Sequence, residues 1–184
     1  METSLLTTKL NIPPLRLPLV ARLRLLERLK AALGNNFVLV SAPAGFGKTT
    51  LLNEWARQSQ PRIRTAWISL DEGDNDPTRF WDYFIAALQT LQPDCGEKIL
   101  SLLRSSQTAT TELMLAALIN DLSRVKGDFI VVLDDYHLIK SRQIHDGIAY
   151  LLEHMPAGMR LAMLPEATHP YLYRTSGVKG RCWR

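Results

Sequence analysis

The chain has 184 residues, 46% of them hydrophobic, which suits one α/β domain with a proper core and excludes two full ones. Its net charge of +4 is carried by the ends: residues 1–34 hold six bases and two acids, residues 165–184 hold four bases and one acid, and the body holds twelve bases against fifteen acids, without the basic stripe that direct nucleic-acid binding by this segment would need. No apolar stretch approaches the ~20 residues of a membrane span and no charged-then-apolar leader opens the chain, so a cytoplasmic protein that does not engage membranes is expected.

Residues 1–18 contain Pro13, Pro14 and Pro18, which rule out a continuous helix, and they read as an extended arm. Leu23, Leu26, Leu29 and Leu33 then recur at helical spacing, with Gly34 as the stop. The apolar run Phe37-Val38-Leu39-Val40 reads as a strand. The nine residues that follow it, Ser41 to Thr49, turn into a helix marked by Leu51, Leu52 and Trp55. A second strand is predicted at Thr65 to Leu70. The polar stretch Asp71 to Asp76 after it reads as a solvated loop, with Asp76 as N-cap and Pro77 as first helical residue. Its glycine is misplaced for a calcium-binding EF-hand loop and no glutamate closes it. Phe80, Trp81, Phe84, Ile85, Leu88 and Leu91 share one helical face and are candidate core. A helix from Thr111 to Val125, a buried strand Phe129 to Leu133, a helix from Ile144 to Met155 and a strand from Arg160 to Leu164 complete the series. Alternation of strands and helices predicts a three-layer α/β/α fold with a parallel sheet. Cys95 and Cys182 read as reduced thiols, and His137, His145, His154 and His169 show no metal-ligand spacing.

The chemistry concentrates in Ser41-Ala42-Pro43-Ala44-Gly45-Phe46-Gly47-Lys48-Thr49. A strand that turns sharply into a helix offers unpaired backbone N–H groups and the positive end of the helix dipole, both of which attract polyphosphate. In that geometry Lys48 reaches the β and γ phosphates, the Thr49 hydroxyl helps hold Mg²⁺, and Gly45 and Gly47 let the backbone approach without Cβ clashes. Ala42 stands where the usual pattern has glycine, which requires only that its φ be negative. The buried run ending in Asp134-Asp135 supplies two carboxylates at the ligand-binding edge of such a sheet. On its own an Asp pair after a strand is more often a turn or cap. With the phosphate loop upstream, Asp134 is expected to orient Mg²⁺ and Asp135 to polarise the attacking water, with slow turnover because Asp135 is a short acid. The site expected from these readings binds ATP or ADP through Ala42, Pro43, Ala44, Gly45, Phe46, Gly47, Lys48, Thr49 and Thr50, with Thr49 and Asp134 at the metal.

Leu5 to Leu10 with Pro13-Pro14, Leu19 to Leu26, Ser41 to Thr50, Ser69 to Pro77 and Leu133 to His137 together resemble the STAND-class P-loop NTPase module of the large MalT-like bacterial regulators, which end in a LuxR-type DNA-binding helix-turn-helix. The resemblance covers roughly residues 5–164 and implies an ATP/ADP switch, self-association with bound ATP and inducer, and an arginine close to the nucleotide, for which Arg22 holds the matching place. It divides the chain into the arm 1–18, the NTPase domain 19–164 and a divergent tail 165–184. The family continues past this point as Thr-Arg-x-Asp-Pro-Pro-Leu-Pro-Leu. Codons for Pro165 to Tyr173 can be chosen so that reading from the third base of codon 164 yields Thr-Arg-Ser-Asp-Pro-Pro-Leu-Pro-Leu, so a frame change there is expected. The resemblance further implies that the sensor arginine, the DNA-binding part and the strand flanking the phosphate-loop strand are missing, leaving that edge of the sheet bare. Two other readings stand beside the regulator module: a free-standing P-loop ATPase or kinase, and a non-catalytic interaction remnant.

Overall fold

The computed structural model describes residues 5–15, 22–97, 99, 111–166 and 181–183; the expectations for the rest of the arm and tail lie outside the described residues. Five parallel strands, β1 (Phe37–Val40), β2 (Arg64–Ser69), β3 (Phe129–Asp134), β4 (Met159–Leu164) and β5 (Arg181–Trp183), form one sheet in the order β2-β3-β4-β1-β5. The described helices are α1 (Leu23–Ala32), α2 (Lys48–Ser59), α3 (Pro77–Gln89), α4 (Thr111–Leu122) and α5 (Arg142–Glu153).

Side chains of period two sort the core into two halves. Ala66, Ile68, Val131, Leu133, Leu161 and Met163 face a cluster built with Trp81, Phe84, Leu115, Leu118 and Ile148. Trp67, Ile130, Val132, Ala162 and Leu164 face the other way, against Leu26 and Leu29 of α1 and Leu52 and Trp55 of α2. Burial on both faces explains why every position of β3 is buried and why the strand reads as a nearly unbroken apolar run. The expected three-layer α/β/α fold is therefore present. Asp76 accepts from Arg79 N at 2.8 Å and Pro77 opens α3, as the cap signal predicts.

Three places depart from the sequence reading. Within the expected extended arm, Thr7–Leu10 wind into a 3-10 turn. Lys9 of that turn is buried and reaches Asp71 at 3.0 Å and the fully buried Asp74, which also pairs with Arg79 at 3.2 Å. The acidic stretch is thus a docking site for the arm rather than a purely solvated loop. A buried carboxylate is tolerated only with partners, and two cations supply them. The hydrogen bond from Lys9, ahead of their Coulomb attraction, holds the Asp71 carboxyl below its usual range despite the opposing effect of burial. The third departure is the outer edge of β1, expected to be bare. Arg181–Trp183 of the divergent tail pair with it in parallel, Val38 opposite Arg181 and Val40 opposite Trp183, so the sheet extends beyond the 19–164 boundary. Unpaired backbone groups on a strand edge favour any segment that can reach them.

Candidate phosphate-loop site

Register brings the chemistry to one edge of the sheet. Phe37 stands opposite Leu161 and Leu39 opposite Met163, while Leu133 stands opposite Met163 and Asp134 opposite Leu164. The carboxyl ends of β1 and β3 therefore flank that of β4, and the loop after β1 faces Asp134 across one strand. From β1 the chain crosses to the far edge at β2 and steps back through β3 and β4, and ligands of open parallel sheets bind beyond the carboxyl ends of such strands.

The loop itself takes the shape its glycines permit. Gly45 has φ +77° and Gly47 φ +75°, both in the left-handed region that other residues rarely enter. A Cβ on Gly45 would meet nothing within 4 Å, whereas one on Gly47 would lie 3.3 Å from the Arg22 guanidinium. Ala42 is not among the positive-φ residues, so the loop starts there without strain. Lys48 is the first residue of α2, and its ammonium donates to Ala42 O at 2.8 Å and Pro43 O at 3.2 Å, arching over the loop. Arg22, just before α1, donates to Phe46 O at 2.6 Å and pins the loop from outside. Ala44, Phe46 and Thr50 are exposed, Phe46 at 62%.

Thr49 sits one residue into α2, and its hydroxyl lies 3.1 and 3.0 Å from the two Asp134 carboxylate oxygens, 85 positions away. Asp134 is 3% exposed. Burial, followed by the neighbouring Asp135 charge, pushes its pKa up to about 6, against the opposing hydrogen bonds of Thr49 and Asp135 N and the Lys48 charge. A hydroxyl and a carboxylate held together in this way form a hard-oxygen donor pair of the kind Mg²⁺ takes, and a cation beside Asp134 would favour its ionised form. These residues fit the metal that the sequence implies. Asp135 follows in a left-handed conformation, φ 55°, and is the one non-glycine residue with positive φ among those described.

Beside the loop, Arg22, Leu25, Leu29, Val40, Phe46 and Leu51 help to line a cavity of about 220 Å³. Its walls are largely apolar and Lys48 is among the residues that line it, a combination suited to a flat ring joined to an anionic tail. All of the sequence-predicted residues from Ala42 to Thr50, together with Arg22, Asp134 and Asp135, thus belong to one edge of the sheet. What sequence reasoning missed lies around them. Asn75 hydrogen-bonds the loop that follows β3, and the buried Tyr136 hydroxyl lies 2.8 Å from His145 Nδ1. Neither pairing has a local signal, because each joins segments whose sequences look like ordinary turn and helix.

The family profile of the AAA ATPase domain matches residues 18–164. The HTH-type transcriptional regulator MalT of Yersinia enterocolitica is 36% identical over 166 residues, covering 90% of this chain and 18% of that protein. The MalT of Klebsiella pneumoniae subsp. pneumoniae is 37% identical over 160 residues, 87% of this chain and 17% of its own length. The chain accordingly spans less than a fifth of these curated relatives. Among solved structures, the Aeropyrum pernix ORC1 protein in complex with DNA superposes with a TM-score of 0.59 at 16% identity, over 92% of this chain and 45% of that one. Cdc6p of Pyrobaculum aerophilum gives 0.57 at 18% identity, over 91% and 45%. At such identities the likeness concerns the fold. The match over 18–164, on a parallel sheet with a phosphate-type loop after its first strand, shows that the chain belongs to the AAA ATPase domain family.

Proposed function

We propose that the chain is the nucleotide-switch module of a MalT-like transcriptional regulator, binding ATP and ADP with Mg²⁺ and hydrolysing ATP slowly. The observation that carries the reading is the meeting of Thr49 and Asp134 within 3.1 Å, on the same helical turn as Lys48. In this role the N–H groups of Gly45 to Thr49 bind the phosphates, Lys48 leaves the loop carbonyls for the β and γ oxygens, and Arg22 holds the loop closed. Thr49 and Asp134 hold the metal, which when bound neutralises charge shared between the β and γ phosphates. Asp135 orients the attacking water, and its short side chain fits a switch better than a fast hydrolase. The regulator assignment is supported by the MalT relatives, which are HTH-type transcriptional regulators.

The test is a calorimetric titration of Mg·ATP and Mg·ADP into the wild type and Lys48→Ala. Loss of a charge-assisted phosphate contact is expected to weaken binding about tenfold or more. Equal affinities in the two proteins would overturn the reading.

A further inference from the structure

The side chain of Asn75, in the loop between β2 and α3, bonds four backbone groups. Its Oδ1 accepts from Lys140 N at 2.6 Å and Ser141 N at 3.1 Å, and its Nδ2 donates to Leu138 O at 2.9 Å and Glu72 O at 3.0 Å. Two donors on one side and two acceptors on the other fix the amide orientation. Three of these four groups belong to the segment between the carboxylate pair and α5. From there the bonds run back to the metal-binding carboxylate. Leu138 N donates to Asp135 O at 3.0 Å, and Asp135 N donates to Asp134 Oδ1 at 3.1 Å.

The support behind Asn75 is rigid. Its neighbour Asp74 is fully buried and held by Lys9 and Arg79, and Asp71 closes the same turn as a capping box. The segment in front of it carries strain, because Asp135 adopts a left-handed conformation that non-glycine residues hold only when their surroundings impose it. Ser141 at the start of α5 makes no side-chain cap, and Asn75 holds the Lys140 and Ser141 N–H groups just ahead of the helix.

We infer that Asn75 is a positioning residue for the Asp134–Asp135 carboxylates: its amide anchors Leu138 to Ser141 so that the strained Asp135 turn keeps Asp134 aimed at Thr49. The inference rests on the nucleotide reading of the site. Outer-shell groups that orient a metal-binding carboxylate typically change metal affinity about 10- to 100-fold when removed. The phosphate contacts come from the loop after β1 and do not depend on Asn75.

The experiment measures ATP affinity with Mg²⁺ and with EDTA in the wild type, Asn75→Ala and Asn75→Asp, with urea melts to establish that each variant is folded. The affinity in EDTA is expected to stay within about twofold of the wild type, while the gain on adding Mg²⁺ shrinks about tenfold or more in both variants. Asn75→Asp makes the test sharp. It has nearly the same shape, and its added negative charge would by itself attract Mg²⁺, yet it places a carboxylate against Leu138 O and Glu72 O. An unchanged Mg²⁺ gain in the folded variants overturns the proposal, as does a parallel loss with and without Mg²⁺, which would mark a general structural role. Failure of both variants to fold would overturn it likewise, by making the amide a determinant of the fold. A wild type that binds no nucleotide, or whose binding ignores Lys48→Ala, would instead remove the functional reading on which the inference rests.

Discussion

At the scale of single residues, Asp134 carries the largest consequence. Its pKa of about 6 in the fold lies above the 3.8 of the free side chain, so between those values the native state binds more protons than the unfolded chain. The contribution of this group to stability is therefore greatest below pH 4 and is lost as pH rises through 6, a cost at neutral pH of at most roughly 3 kcal/mol. In EDTA, Asp134→Asn is expected to raise the urea midpoint at pH 7.5 and to flatten the change in stability between pH 4 and 6. A variant less stable than the wild type at pH 7.5 would show that the buried charge is compensated. The same titration sets the metal dependence: the gain in ATP affinity from Mg²⁺ should be full at pH 7.5 and diminish below pH 6, as protons compete for the carboxylate. A gain independent of pH from 5 to 7.5 would place the metal elsewhere.

At the scale of elements, two contacts hold the site's supports in place. Gly147 lets α5 approach α3, and a Cβ there would lie 2.8 Å from Trp81 Cζ2 and 3.5 Å from Leu115 Cδ1. Trp81 is buried and boxed in by Phe80 and Phe84, with ring centroids 5.2 Å away in both cases, so it has little room to yield. Gly147→Ala is expected to destabilise by about 1–3 kcal/mol through overpacking, measured by urea denaturation; a neutral result would mean that the helices can separate freely. The arm is held by Lys9, which also lies 4.5 Å from the centroid of the Tyr83 ring, while Leu6 N donates to the Tyr83 hydroxyl at 3.1 Å. Lys9→Met leaves the fully buried Asp74 with Arg79 as its remaining cation, beside the hydrogen bond from Asp71 N, and should cost about 3 kcal/mol. Pairing it with Asp74→Asn should recover part of that loss, and additive losses would contradict a buried ion pair.

At the scale of the whole molecule, what the sequence revealed was what is local. Phe37 to Val40 and Phe129 to Leu133 announced buried strands because both faces of a parallel sheet are covered, and Ser41 to Thr49 announced the loop because its chemistry is contiguous. The pairings that hold the site were hidden. Lys9 and Asp74 are 65 residues apart and Asn75 and Ser141 are 66 apart; Lys9 sits in a stretch that reads as an extended arm, and Asp74 and Asn75 sit in one that reads as a solvated loop. The strand Arg181–Trp183 has no apolar run to declare it; only the open edge of β1 gives it a place.

The central claim, that this sheet edge binds nucleotide through Lys48, is tested most directly by thermal unfolding with and without Mg·ATP, in the wild type and in Lys48→Ala. A ligand that binds only the folded state at about 100 times its Kd adds roughly 2.7 kcal/mol, enough for a rise of several degrees in Tm. That rise is expected in the wild type and should be lost in Lys48→Ala. A wild-type Tm that Mg·ATP leaves unmoved, or an equal rise in both proteins, would contradict it.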